Sequence, residues 1–154
     1  MCRNFSPWAG RRAGRQAAGL SRSGRGHAGG MPTVAIIGAS PKPDRYSHQA
    51  VLGYLKRGYT VHPVNPAGEA VAGLAAFRTL AEVPGLPDII TMYVNPTTGL
   101  GLLDQIVAKR PKALWLNPGA DGEPLASAAR AAGLHVVEAC NLVALSYGDP
   151  LDRI

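Results

Sequence analysis

The 154-residue chain carries 16 Lys/Arg against 10 Asp/Glu, and the excess is confined to its start. Residues 1–30 hold six arginines (Arg3, Arg11, Arg12, Arg15, Arg22, Arg25) and no acid, whereas residues 31–154 hold ten of each sign, so the net charge is no argument for nucleic acid as a partner. No apolar run reaches the roughly 18 residues of a membrane-spanning helix, and two cysteines, Cys2 and Cys140, make no disulfide framework, which fits a reducing, cytoplasmic compartment.

The first thirty residues are rich in Gly, Ser and Arg without apolar periodicity, a composition that cannot offset its ordering entropy, so disorder is expected there. A nucleic-acid arm and a transit peptide would share that composition. Met31-Pro32 abuts the first strand directly, which favours Met31 as the start of the folded protein and the preceding residues as a gene-start artefact. Residues 31–154 then form one domain of ordinary size.

That domain opens with Thr33-Val-Ala-Ile-Ile-Gly38, a continuously apolar, β-branched run typical of a parallel strand buried on both faces. The turn Gly38-Ala39-Ser40-Pro41-Lys42 follows, and Tyr46 to Arg57 reads as a helix stopped by Lys56-Arg57-Gly58. Tyr59 to Pro63 is a second strand. Ala75 to Phe77 reads as a short strand and Thr79 to Val83 as one helical turn. Asp88 to Val94 is a strand ending at Asn95-Pro96, after which Thr97 or Thr98 caps a helix running to Lys109-Arg110-Pro111. Ala113 to Leu116 is a strand ending at Asn117-Pro118-Gly119. Asp121 caps a helix through Ala132 with Pro124 in its first turn, and Leu134 to Glu138 is the last strand.

Strands alternating with helices of about a dozen residues imply right-handed crossovers and a parallel sheet. The expected fold is α/β, a doubly wound, Rossmann-like sheet of five to six strands with helices on both faces. Ligands of such sheets sit outside the carboxyl ends of the strands, where strand order reverses. Three Asn-Pro pairs, Asn65-Pro66, Asn95-Pro96 and Asn117-Pro118, fall at those ends; as turn formers they need no ligand, but their shared edge makes it the candidate site. A dinucleotide fingerprint fails, because Ser40 and Pro43 stand where later glycines belong and the second strand ends in Val64-Asn65 without a carboxylate. A P-loop fails too, since no Gly-Lys-Ser/Thr follows the turn. Ser40, Lys42, Arg45 and Ser47 instead combine two cations and two hydroxyls, which suits a ligand with several phosphates. Solvated loop charges around Asp44 are the plainer alternative.

Taken in order, GASPKPDRYS, GYTVHPVNP, Asp88 with TMYVNP, ALWLNPGA and GLHVVEAC resemble the small CoA-binding domain proteins, single Rossmann-like domains that are also similar to the CoA-binding domain of the succinyl-CoA ligase α subunit. The resemblance covers nearly all of residues 32 to 145. It implies coenzyme A or an acyl-CoA as ligand, with Gly38, Ala39, Ser40, Lys42 and Arg45 at the phosphates, and Asn65, Pro66, Val94, Asn95 and Pro96 toward the adenosine. Ser47, Asn117 and Gly119 complete the predicted set, although relatives often carry Gln or Glu at the segment containing Asn117. A ligase would continue beyond this stretch into a phosphohistidine domain and an ATP-grasp partner, so ligase activity is not expected of this chain alone.

No catalytic or metal site is predicted. His27, His48, His62 and His135 lack ligand spacing, and Ser47 and His48, as helix neighbours, do not face each other. Cys140 reads first as a small buried hydrophobe, with thiol exchange against a pantetheine arm as the alternative. A non-catalytic CoA-binding sensor, carrier or regulatory module is therefore the leading expectation. A small nucleotide-dependent oxidoreductase or transferase, and a protein-interaction domain with a vestigial ligand edge, are the alternatives.

Overall fold

The computed structural model describes residues 31–154; the arginine-rich lead-in, for which disorder was expected, lies outside the described residues. Five parallel strands, β1 (Thr33–Ile37), β2 (Thr60–Val64), β3 (Ile89–Met92), β4 (Ala113–Leu116) and β5 (Val136–Glu138), form one sheet in the order β2-β1-β3-β4-β5. Register is set by apolar residues on both faces: Val34 to Ile37 pair with Val61 to Val64 on one side and with Ile89 to Met92 on the other. The expected strand at Ala75 to Phe77 shrinks to a single bridge between Phe77 and Val64 beyond β2. Counting that bridge, the order is that of a Rossmann sheet with its first edge strand reduced to one residue pair.

Helices cover both faces. Ala50, Val51 and Tyr54 of α1 (Tyr46–Lys56) and Ala144 and Leu145 of α5 (Asn141–Tyr147) pack on Val34, Ile36, Ile89 and Trp115. On the opposite face Ile106 of α3 (Leu103–Lys109) and Leu125, Ala126 and Ala129 of α4 (Leu125–Ala131) meet Ala35, Ile37, Ile90, Met92, Leu114 and Leu116. Every side chain of β3 and β4 is buried, which is why those strands read as unbroken apolar runs with Thr91 alone interrupting. Burying each such aliphatic side chain contributes about 1.5–3 kcal/mol, so the two seams carry the fold.

Several boundaries differ from the sequence expectation for identifiable reasons. The helix after β3 is two helices, α2 (Pro96–Gly101) and α3, which meet at Leu102; Gly99 and Gly101 weaken the junction because glycine is the poorest helix former after proline. Its cap is Asn95, not Thr97 or Thr98: Asn95 Oδ1 accepts the Thr98 amide at 2.8 Å, with Pro96 as first helical residue. Asp121 does not cap α4. Its carboxylate accepts the Gly119 amide, and the helix begins four residues later, directly after Pro124. α5 was not anticipated at all. No helix among the described residues is long and apolar enough to cross a membrane.

Candidate functional site

The order of the sheet reverses between β1 and β3, which sets the switch-point crevice between the β1–α1 turn and the β3–α2 turn. Gly38 sits there with φ +85°, and a Cβ on it would lie 3.0 Å from Val94 Cγ1 and 3.1 Å from the Tyr93 carbonyl oxygen. Only glycine allows the two turns to touch this closely.

The turn amides of Gly38, Ala39 and Ser40, residues that the resemblance sets at the phosphates, are engaged within the protein. Gly38 and Ala39 both donate to the Val64 carbonyl (2.9 and 3.1 Å), and the Ser40 amide donates to Ser47 Oγ at 3.1 Å. Ser40 Oγ in turn accepts the Lys42 amide, and Nδ1 of the buried His48 lies 2.9 Å from the Ser40 carbonyl. Ser40, Ser47 and His48 thus clamp the loop from inside. What stays open to a ligand is the start of α1: Arg45 occupies the cap position in an extended conformation with no side-chain hydrogen bond to the first turn, and that turn holds no acid. Lys42 and Arg45 are both exposed beside it. The uncapped start of this eleven-residue helix, preceded by Lys42, Asp44 and Arg45, leaves amides unpaired at the positive end of the helix dipole, an arrangement that favours an anion.

At the end of β2, Asn65 is buried and fully occupied. Its Nδ2 donates to the carbonyls of Ala39 (3.2 Å) and Glu69 (2.9 Å), and its Oδ1 accepts the Glu69 amide (2.8 Å). It ties the β2 turn to the β1 turn, while Pro66 projects into solvent. Val94 and Pro96 are half-buried and Asn95 is exposed, its carbonyl-type oxygen engaged as the α2 cap.

One strand further on, Asn117 is almost wholly buried. Nδ2 donates to Thr91 Oγ1 (2.8 Å) and to the Met92 carbonyl (2.9 Å), and Oδ1 accepts the Asn141 amide (2.7 Å). Its side chain therefore joins β3, β4 and α5. Gly119 lies beyond, exposed, with φ +98°. Asn141 continues the seam by accepting the Tyr54 hydroxyl at 2.5 Å. Burial pushes the pKa of both Tyr54 and Tyr93 well above the ordinary tyrosine value, and the neighbouring Cys140 adds to the shift of Tyr93.

The structure thus gathers Gly38, Ala39, Ser40, Asn65 and Val94 at the switch point, sets Lys42 and Arg45 on one rim and Asn95 and Pro96 on the other, and leaves Pro66 and Gly119 at the periphery. Tyr54, Tyr93 and Asn141, which complete this seam, stand outside the predicted set, although Tyr93 and Asn141 both lie at strand ends. A separate groove of about 620 Å³ runs between α1 and α5, lined by Gln49, Leu52, Gly53, Lys56, Arg57, Leu142, Leu145 and Ser146, and shares no residue with this edge. Among the described residues no three His, Cys, Asp or Glu side chains are grouped to hold a metal ion.

Fold and edge together define a Rossmann-like α/β domain whose polar groups converge at the carboxyl ends of its strands. The chain belongs to the CoA binding domain family, whose pattern matches residues 32–146. It is 28% identical over 86 residues to the uncharacterized protein YneT of Bacillus subtilis, an alignment spanning 56% of this chain and 64% of that one, so less than two thirds of YneT is represented. A solved structure from Thermus thermophilus (cell-free ID.343) is 31% identical with a TM-score of 0.67, covering 76% of this chain and 89% of that one. The dinucleotide-forming acetyl-coenzyme A synthetase 1 of Ca. Korarchaeum cryptofilum matches at 22% identity and a TM-score of 0.59, over 70% of this chain and 26% of the synthetase, a likeness of fold alone.

Proposed function

We propose that this domain binds coenzyme A or an acyl-CoA along the carboxyl edge of the sheet and acts as a non-catalytic sensor, carrier or regulatory module in the cytoplasm. The observation that carries the reading is the uncapped start of α1 just after Lys42 and Arg45, at the switch point of a chain that belongs to the CoA binding domain family. In this reading Lys42, Arg45 and the first turn of α1 hold the phosphates. Val94, Asn95 and Pro96 border the nucleotide, and Gly38 gives it room by leaving no Cβ between the two turns. Ser47, Asn65 and Asn117 contribute by fixing the turns, since their side-chain groups are engaged within the protein.

Thermal denaturation of the full chain with CoA, acetyl-CoA, NADH, NADPH and ATP tests this. A ligand at a hundred times its Kd stabilises the native state by about 2.7 kcal/mol, so CoA or acetyl-CoA is expected to raise Tm clearly above the others. A shift with a nicotinamide cofactor and none with CoA overturns the proposal in favour of a nucleotide-dependent enzyme. The double variant Lys42→Ala/Arg45→Ala should weaken CoA binding by about a hundredfold or more, since it removes two charged hydrogen bonds that contribute about 1.5–3 kcal/mol each, with Tm of the free protein unchanged. Unaltered affinity removes both cations from the site.

A further inference from the structure

Two buried side-chain polar atoms among the described residues have no hydrogen-bond partner, and both belong to residues linked through Tyr54, which bonds Asn141 and shares a core cluster with Tyr93. They are the Tyr93 hydroxyl and Asn141 Nδ2. Asn141 has no exposed surface, and its other amide atom already accepts the Tyr54 hydroxyl. Tyr93 follows β3, Asn141 begins α5, and Cys140, half-buried, is the cap residue immediately before Asn141 and a near enough neighbour of Tyr93 to push its pKa up. Buried donors are almost always satisfied, so two orphans in the seam that leads to one thiol mark a place where another molecule's polar groups belong.

The spacing fits the far end of the ligand proposed above. From the β1 turn to the end of β5 the sheet crosses three strand intervals, β1 to β3 to β4 to β5, or about 14 Å at roughly 4.8 Å each. The arm joining the pyrophosphate of CoA to its sulfur has about twelve chain atoms, which at roughly 3.5 Å per three atoms of an extended chain also spans about 14 Å. That arm carries two amides, whose carbonyls can accept from Asn141 Nδ2 and from the Tyr93 hydroxyl, and it ends in a thiol.

We propose that Cys140 is a redox site that exchanges with CoA disulfide to hold the CoA arm as a mixed disulfide, an inference that rests on the CoA reading of the carboxyl edge. The Cys140 thiolate attacks one sulfur of the CoA disulfide, the new S–S bond forms as the old one breaks, and the second CoA leaves as a thiolate that takes up a proton. The CoA disulfide is itself the oxidant, and a free thiol reverses the step. Tyr93 and Asn141 act as positioning residues that dock the arm's amides.

Intact-mass and peptide-mapping measurements on the reduced full chain decide it. Exposure to CoA disulfide should add one CoA to Cys140, in the wild type and in Cys2→Ser but not in Cys140→Ser, and a reductant should remove it. Because docking raises the local concentration of the disulfide, labelling should run at least about tenfold faster than with oxidised glutathione. Tyr93→Phe should slow the CoA reaction while leaving the glutathione reaction unchanged. Equal rates from the two disulfides, or labelling at Cys2 alone, overturn the proposal. So does the absence of any adduct when reduced CoA still raises Tm, in which case CoA binding stands without exchange; absence of both adduct and Tm shift removes both readings.

Discussion

Gly38 and Gly58 have the same φ of +85°, yet they are not equivalent positions. A Cβ on Gly58 would meet nothing within 4 Å, so Gly58→Ala costs only the left-handed backbone, about 1–2 kcal/mol. The same change at Gly38 adds a contact of 3.0 Å with Val94 and 3.1 Å with the Tyr93 carbonyl, and a backbone atom cannot rotate away. Overpacking of that kind costs about 1–3 kcal/mol more. Urea denaturation should therefore show Gly38→Ala as clearly the less stable of the two, and equal losses would mean that the β1 and β3 turns are not held together. The contrast matters for function because the first defect falls on the wall of the proposed pocket and the second does not.

At the scale of elements, Asn117 is the tie among β3, β4 and α5, and its removal should be felt as a loss of the whole edge. Asn117→Ala would strand the buried Asn141 amide and two acceptors on β3; at about 1–3 kcal/mol for a buried group left unsatisfied, a drop of at least about 2 kcal/mol in unfolding free energy is expected. A change confined to CoA affinity, with stability intact, would instead make Asn117 a ligand contact. The sequence exposed the strands because β1, β3 and β4 are apolar on both faces, and it exposed the switch-point glycine because the turn demands one. It could not separate a ligand-binding Asn from a structural one. Asn117 finds its partners 24 to 26 residues away, and Asn65 reaches back 26 residues to Ala39, distances at which local pattern is silent. α5 escaped for a related reason: seven residues with Ala144 and Leu145 as its buried apolar positions leave little periodicity, and it is held by Asn117, Tyr54 and the close fit of Leu145 over Gly53. The break between α2 and α3 was legible in principle from Gly99 and Gly101, against an apolar spacing that ran through both.

For the molecule as a whole, the face covered by α1 and α5 makes stability sensitive to alkali. Tyr54 and Tyr59 pack edge to face with ring centroids 4.7 Å apart, the Tyr54 hydroxyl donates to Asn141, and the Tyr59 hydroxyl donates to the Asp149 carboxylate that leads into the last turn, Pro150–Arg153. Burial is the first cause that drives the ionisation of Tyr54, Tyr59 and Tyr93 well above the ordinary tyrosine value of about 10. Below that value each is protonated in both states and stability does not depend on it. Above it the unfolded chain releases protons that the native state keeps, so stability falls as pH rises toward the native values. At the other limit His62, pushed down by burial and then by the Lys109 charge, stays neutral in the native state while the unfolded chain gains a proton below about pH 6.5, so stability falls on acidification. The domain should thus show a plateau between these limits. Urea titrations from pH 8 to 11.5 should be flat to about pH 10 and steep beyond, and Tyr54→Phe, though less stable at neutral pH, should lose about 1.4 kcal/mol per pH unit from that slope. A wild-type slope retained in Tyr54→Phe would show that this hydroxyl is not the buried, Asn141-bonded group on which the packing of α1 against α5 depends.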